Sequence, residues 1–174
     1  MATVSREEAL ATLADGYSRV AELMAGLSED QASAPRTIGG GEWSAVDLLD
    51  HVAAWEEAAI DAIADVRRGE VPGIEAYFAE DSGGVDRFNA ERDASRRGRS
   101  AEDIRTRAEG AHRTLVGQIE AMSDEEWTSD VPGKPERRRQ LGNLLGSITG
   151  AAQHPFGHAF AHIPDLEAYV SSLR

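Results

Sequence analysis

The chain has 174 residues, 41% hydrophobic and 28% charged, with a formal net charge of −13; this suits one domain with an ordinary core and opposes binding to a phosphate backbone, so nucleic acid is not the expected partner. It contains no cysteine, which excludes disulfides, zinc–thiolate sites and cysteine nucleophiles: a metal must use His, Asp, Glu or water, and thiol chemistry must use a thiol from outside. No apolar run is long enough to predict a membrane span, and the first residues lack the basic start and apolar stretch of a signal peptide, so the expected location is cytoplasmic.

The first long helix is predicted to start at Ser5, where Ser5 and Glu8 form a capping box. Its apolar residues Leu10, Leu13, Tyr17, Val20, Leu23, Met24 and Leu27 step by three and four. The second starts at Ser44, with Asp47 three residues on; Leu48, Val52, Trp55, Ala59, Ile63 and Val66 form its stripe, and Gly69 is its stop. His51 falls between Leu48 and Trp55 and so faces the core side of that helix. Residues 69–100 are broken by Pro72, Gly73, "SGG" at 82–84 and "RRGR" at 96–99, leaving short helical stretches around Tyr77–Phe78 and Val85–Asp93.

The third long helix follows Ser100 and Asp103, through Ile104, Ala108, Ala111, Leu115, Ile119 and Met122. His112, followed by Arg113, reads as partly exposed or as a support for a site built by others. The fourth helix is predicted as one span over about 140–173, through Leu141, Leu144, Leu145, Ile148, His158, His162, Leu166 and Val170. The Arg-rich stretches 96–99 and 137–139 read as solvated charge. No period-two pattern persists. "AGLSEDQ" ends the first helix and "EAMSDEEW" the third, each before a Pro-containing loop and a histidine-bearing helix. Two such units predict one all-α domain over 1–174, a four-helix bundle with short extra helices between helices 2 and 3.

Three of the five histidines lie in "HPFGHAFAH", residues 154–162, where a metal site, a proton relay and a polar stripe are all open readings. Residues i and i+4 of a helix are roughly 6 Å apart on one face. From His154 to His162 the helical rise would be about 12 Å, against a Zn–N bond of about 2 Å, so one of the three is an outsider. Pro155 lacks an N–H and disfavours helical geometry at His154, which puts His154 at a kink or break. His158 and His162 lie beyond it on an inward stripe with Ile148, Ala152, Pro155 and Leu166. A metal site that does chemistry takes three protein ligands and leaves positions open, and His51 is the natural third. Asp47, one turn before His51, is expected to orient its ring. Trp55, Glu56 and His154 are the further pocket residues; the plainer readings are core packing for Trp55 and surface charge for Glu56.

"GEWSAVDLLDHVAAWEEAAI" (41–60) and "FGHAFAHIPDL" (156–166) resemble the DinB/YfiT-like superfamily of four-helix bundles. The shared features are Trp43-Ser44 at a helix start, His51 inside helix two, and His158 with His162 in helix four. The stretch "VDRFNAERDASRRGRSAEDI" and the "LSEDQ" and "MSDEEW" turns also resemble the ClbS/DfsB branch. The resemblance implies a bundle holding Zn, Ni or another divalent ion on those three histidines. It implies a small-molecule substrate, with thiol transfer using an external low-molecular-weight thiol or metal-assisted hydrolysis. Its alternatives are a metal-free, ClbS-like self-resistance or detoxifying hydrolase, and a non-catalytic binding module; a homodimer is a further expectation. This chain departs from the branch between the two helix-four histidines, where Ala159, Phe160 and Ala161 bring no acidic residue.

Overall fold

Serine opens each of the first three long helices. The computed structural model describes residues 4–79, 83–96 (at 95 and 96 without side chains), 98–133, 139–152 and 154–174. Helices α1 (Arg6–Ala25), α2 (Glu29–Ser33), α3 (Ala45–Arg67), α4 (Glu75–Phe78) and α5 (Gly84–Arg96) lead to α6 (Ala101–Ala121), α7 (Asp124–Trp127), α8 (Leu141–Ile148) and α9 (His158–Ser172). Ser5, Ser44 and Ser100 each accept from the backbone N–H three residues on, and the acidic side chain at that position reaches back to the cap, so each closes a capping box. At α3 the Ser44 amide and hydroxyl both donate to Asp47 Oδ2, at 2.8 and 2.6 Å. Ser44→Ala should therefore cost about 1 kcal/mol, read as a lower urea midpoint. An unchanged midpoint would show that packing alone starts α3.

Four arms make the bundle: α1, α3, α6, and α8 with α9. α3 lies along α6 and also meets α8 and α9, while α1 packs on α9. Because α3 is enclosed on most sides, residues all round it are buried, from Leu48 and Leu49 to Ala62 and Ile63. The core has two blocks. One joins Trp55, Ile63, Leu115, Ile119, Leu144, Leu145 and Ile148; the other joins Val20, Met24, Leu48, Val52, Ile104 and Leu166. His51 sits on α3 between Leu48 of one block and Trp55 of the other. The all-α class and the extra helices between the second and third arms match the sequence reading, and no strand occurs among the described residues. The "LSEDQ" and "MSDEEW" turns prove to be short helices of their own, capped by Ser28 and Ser123.

The fourth arm corrects the expectation of one continuous helix over 140–173. α8 stops at Ile148 and α9 begins at His158. Pro155 has no amide to give, and the chain turns sharply instead: Ala151 and His154 exchange backbone hydrogen bonds of 3.0 and 2.9 Å. Phe156 takes a left-handed φ of +62°, which costs a non-glycine residue about 1 kcal/mol or more. Burial of its ring against Trp127, stacked at 5.9 Å, offsets that strain. The excursion folds back onto α8: Phe156 N–H donates to Gly146 O, and a Cβ on Gly146 would lie 2.9 Å from the Phe156 ring. The His158 amide then donates to Thr149 O at 2.9 Å, which joins the start of α9 to the end of α8. Ala152 and Pro155, expected on the inward stripe, are exposed as a result.

Of the basic stretches, Arg97, Arg137, Arg138 and the Arg96 side chain lie outside the described residues. Arg139 bonds Glu75 and sits over the Phe78 ring, 5.5 Å from its centroid. No helix among the described residues is long and apolar enough to cross a membrane.

Candidate metal centre

His51 is carried by the second turn of α3, seven residues after the Ser44 cap, so the cap fixes the turn on which it projects. His158 is the first residue of α9 and His162 lies one turn further on the same face. The break before α9 brings this face onto His51. His158 Nε2 is 3.1 Å from His51 Nε2 and 3.1 Å from His162 Nε2, and one ring nitrogen from each of the three lies within 4.8 Å of the others. The rings meet edge to face, with centroids 4.9–5.1 Å apart for His51 with each partner.

Three imidazole nitrogens in this arrangement do not satisfy one another. A neutral ring nitrogen carries either one proton or one lone pair, and His158 Nε2 faces two neighbours. The single proton or lone pair on His158 Nε2 serves one N–H···N bond at a time. A cation accepts all three lone pairs at once. The nitrogens of a tetrahedral zinc site stand roughly 3.3 Å apart, close to the two 3.1 Å separations here. The donor set therefore fits a divalent ion with nitrogen preference and leaves coordination positions free.

The electrostatics agree. Burial, and then His162, pushes the His158 imidazole down to about 3. Burial also lowers His162, with Asp165 acting against it. Both rings are thus neutral near pH 7, the form that binds metal. The folded values lie below the unfolded value of about 6.5. The stability these rings contribute is therefore complete above about pH 6.5 and is lost as pH falls below it, for His158 down to about 3 and by up to ~1.4 kcal/mol per unit for each ring. Chelator-treated protein should be less stable at pH 5 than at pH 7 by on the order of 1–2 kcal/mol in urea unfolding. His158→Ala should remove most of that slope; an equal slope in the variant would assign it to other groups.

Two tryptophans wall the centre. Trp43 lies 4.8 Å from the His51 ring and 6.4 Å from His162. Its carbonyl accepts from the Thr37 and Ile38 amides, which tie the 34–43 loop to the start of α3. Trp55 is buried, presents its ring to the edge of His158 at 5.8 Å, and packs on Phe88 at 4.4 Å. Its Nε1 donates to Asn89 Oδ1 at 3.2 Å, so α5 holds this wall in place. A cavity of about 250 Å³ lined by Trp43, Asp47, Asp50, Asp93, Arg99 and Ile104 opens on the Trp43 side.

The structure brings His51, His158 and His162 together and moves other expected residues elsewhere. Asp47 is exposed, and its carboxylate serves Ser44 as the helix cap, which corrects its reading as the group that orients the His51 ring. Glu56 is not a surface charge: it is buried, and its Oε1 meets His112 Nδ1 at 2.9 Å. His112 in turn is largely buried and stacks on Tyr17 at 4.0 Å, on the α6 side of α3. His154 is exposed, with its ring against Phe160. Asn89 and Phe88 were not foreseen, because a polar residue beside an aromatic in "VDRFNAERD" carries no spacing signal toward Trp55.

A family model described as the DinB superfamily matches residues 12–163. A crystal structure of an uncharacterised protein from Escherichia coli UTI89 superposes with a TM-score of 0.76 at 16% identity, covering 97% of this chain and 94% of that one. The colibactin self-resistance protein ClbS, solved in complex with double-stranded DNA, gives 0.69 at 18% identity over 97% and 95%. The mycothiol-dependent maleylpyruvate isomerase gives 0.68 at 18% identity over 95% of this chain and 63% of its own. At these identities the likeness is one of fold. No curated protein matches the sequence.

Proposed function

The chain belongs to the DinB superfamily, and from that premise we propose that it binds one divalent ion, Zn or Ni, through Nε2 of His51, His158 and His162 and acts on a small electrophile. The observation that carries this reading is the meeting of three ring nitrogens, with His158 and His162 held neutral by burial, where one shared cation takes all three lone pairs. A divalent ion bound there would lower the pKa of a coordinated water or thiol and so supply a nucleophile near neutral pH.

The chain's own groups define the rest. The histidines hold the ion from α3 and α9. Trp43 and Trp55 exclude water from two sides, which strengthens electrostatic effects at the centre. His158 and His162 are only partly covered, leaving an approach for a small molecule. With no cysteine in the chain, a thiol nucleophile must be brought in, as the dependence of one structural relative on mycothiol illustrates. Thiol transfer and addition of water to the electrophile are the two reactions this arrangement supports.

The ClbS relative was solved with double-stranded DNA. A chain of net charge −13 repels phosphate, so the partner proposed here is a small molecule. The test is elemental analysis of protein purified without an affinity tag. The reading expects close to one divalent ion per chain. No ion, even after incubation with Zn²⁺ or Ni²⁺, would sink it in favour of a metal-free, ClbS-like detoxifying protein whose 3.1 Å histidine contacts pass protons.

A further inference from the structure

A second cavity, of about 360 Å³, lies between α1, α3 and α6. It is separate from the histidine centre. Leu49, on its wall, stands two residues before His51, about 200° around α3. Its size is that of a small-ligand pocket.

The lining divides by chemistry. Ala21, Met24, Leu27 and Leu49 make an apolar surface, with Met24, Leu27 and Leu49 themselves buried. Tyr17, Arg105 and Glu109 supply the polar groups. Glu109 is drawn to Arg113, 3.5 Å away. Arg105 has no ion pair or hydrogen bond with any described residue, in a chain with 31 carboxylate residues and 18 basic ones. The Tyr17 hydroxyl likewise has no hydrogen-bond partner among the described residues, while its ring is fixed by stacking on His112. Burial, then Glu109, raises the Tyr17 pKa and keeps the hydroxyl a donor. Two donors without a described partner therefore border an apolar surface, beside a Glu109 carboxylate that is turned to Arg113.

We infer that this cavity is a binding site for a short aliphatic carboxylate, its carboxylate on Arg105 and Tyr17 and its chain along Met24, Leu27 and Leu49. A guanidinium takes a carboxylate through two parallel N–H···O bonds, and the hydroxyl adds a third. The walls set the tail: aliphatic side chains reward methylenes, each by about fourfold in affinity.

The methionines give a direct readout. Met24 lines the cavity, whereas Met122 is buried in the other block of the core. In a titration of the full chain with octanoate, the Met24 methyl resonance should shift saturably in the millimolar range or below, and Met122 should stay still. Hexanoate should bind about 16-fold more weakly. Arg105→Gln should weaken octanoate at least about tenfold, and 1-octanol should bind the native chain at least about tenfold more weakly than octanoate. Chelation of metal and His158→Ala should leave the titration unchanged. A Met24 signal unmoved by millimolar octanoate overturns the inference. So do equal affinities for octanol and octanoate, and so does binding that disappears with His158→Ala, which would put the carboxylate at the histidine centre.

Discussion

His158→Ala should lower bound metal from close to one ion per chain to background, with affinity reduced at least about a hundredfold. Loss of a group that merely supports a ligand already costs 10–100-fold, and His158 is a ligand in the proposed set. Its Nε2 is also the nitrogen within 3.1 Å of both others, so its removal leaves His51 and His162 without the atom that links them. His154→Ala is the matched control. It removes a histidine four residues away that is exposed and rests against Phe160, and it should leave metal content unchanged. Elemental analysis of the untagged proteins after dialysis against Zn²⁺ or Ni²⁺ reads both. Equal metal in native protein and His158→Ala would mean that the ion sits elsewhere.

Glu56→Ala should destabilise the fold by about 2–4 kcal/mol, the range for stripping a partner from a buried polar pair. Glu56 and His112 are 7% and 13% exposed at the side chain and meet at 2.9 Å, with Tyr17 closing the far face of the imidazole. Removing the carboxylate strands His112 Nδ1 and leaves a cavity as well. Glu56→Gln keeps an acceptor and should cost only about 1 kcal/mol. Replacing both residues by leucine should cost less than Glu56→Ala alone, since no buried polar atom is then unpaired. Urea midpoints of the four proteins separate these cases. Metal content should be the same in all four, because this pair lies on the α6 side of α3 and the histidine centre faces α9. A Glu56→Ala variant as stable as the native chain would show that the pair contributes nothing.

The histidine centre and the Glu56–His112 pair each use a residue of α3, His51 and Glu56, yet these two were not equally readable in the sequence. The stripe Leu48, Val52, Trp55 and Ala59 fixes which side of α3 is apolar, and His51 falls on it. Glu56 follows Trp55 by one residue, which normally turns a side chain toward water. It is buried because α6 covers that side of α3 as well, with Tyr17 of α1 stacked on the His112 that Glu56 meets, and a helix packed on several sides leaves little solvent face for periodicity to reveal. Asp47 shows the opposite case: one turn from His51, it looked like that residue's support, but a carboxylate three residues after Ser44 is captured first by the helix start.

The sequence by itself determined what depends on neighbours within about four residues. This includes the starts at Ser5, Ser44 and Ser100, the apolar stripes, the pairing of His158 with His162, and the exclusion of His154 by Pro155. These follow from backbone geometry and local hydrogen bonding, which repeat every 3.6 residues wherever the helix lies. Only the tertiary structure decided that the fourth arm breaks over 149–157, with Phe156 in a left-handed turn and its ring buried on Gly146 and Trp127. That break sets the rotation of α9, and the rotation brings two histidines to 3.1 Å contacts centred on His158, one of them with a residue more than a hundred positions upstream. Contacts of that kind depend on how packed helices turn against one another, a choice made by side-chain volumes across the whole core.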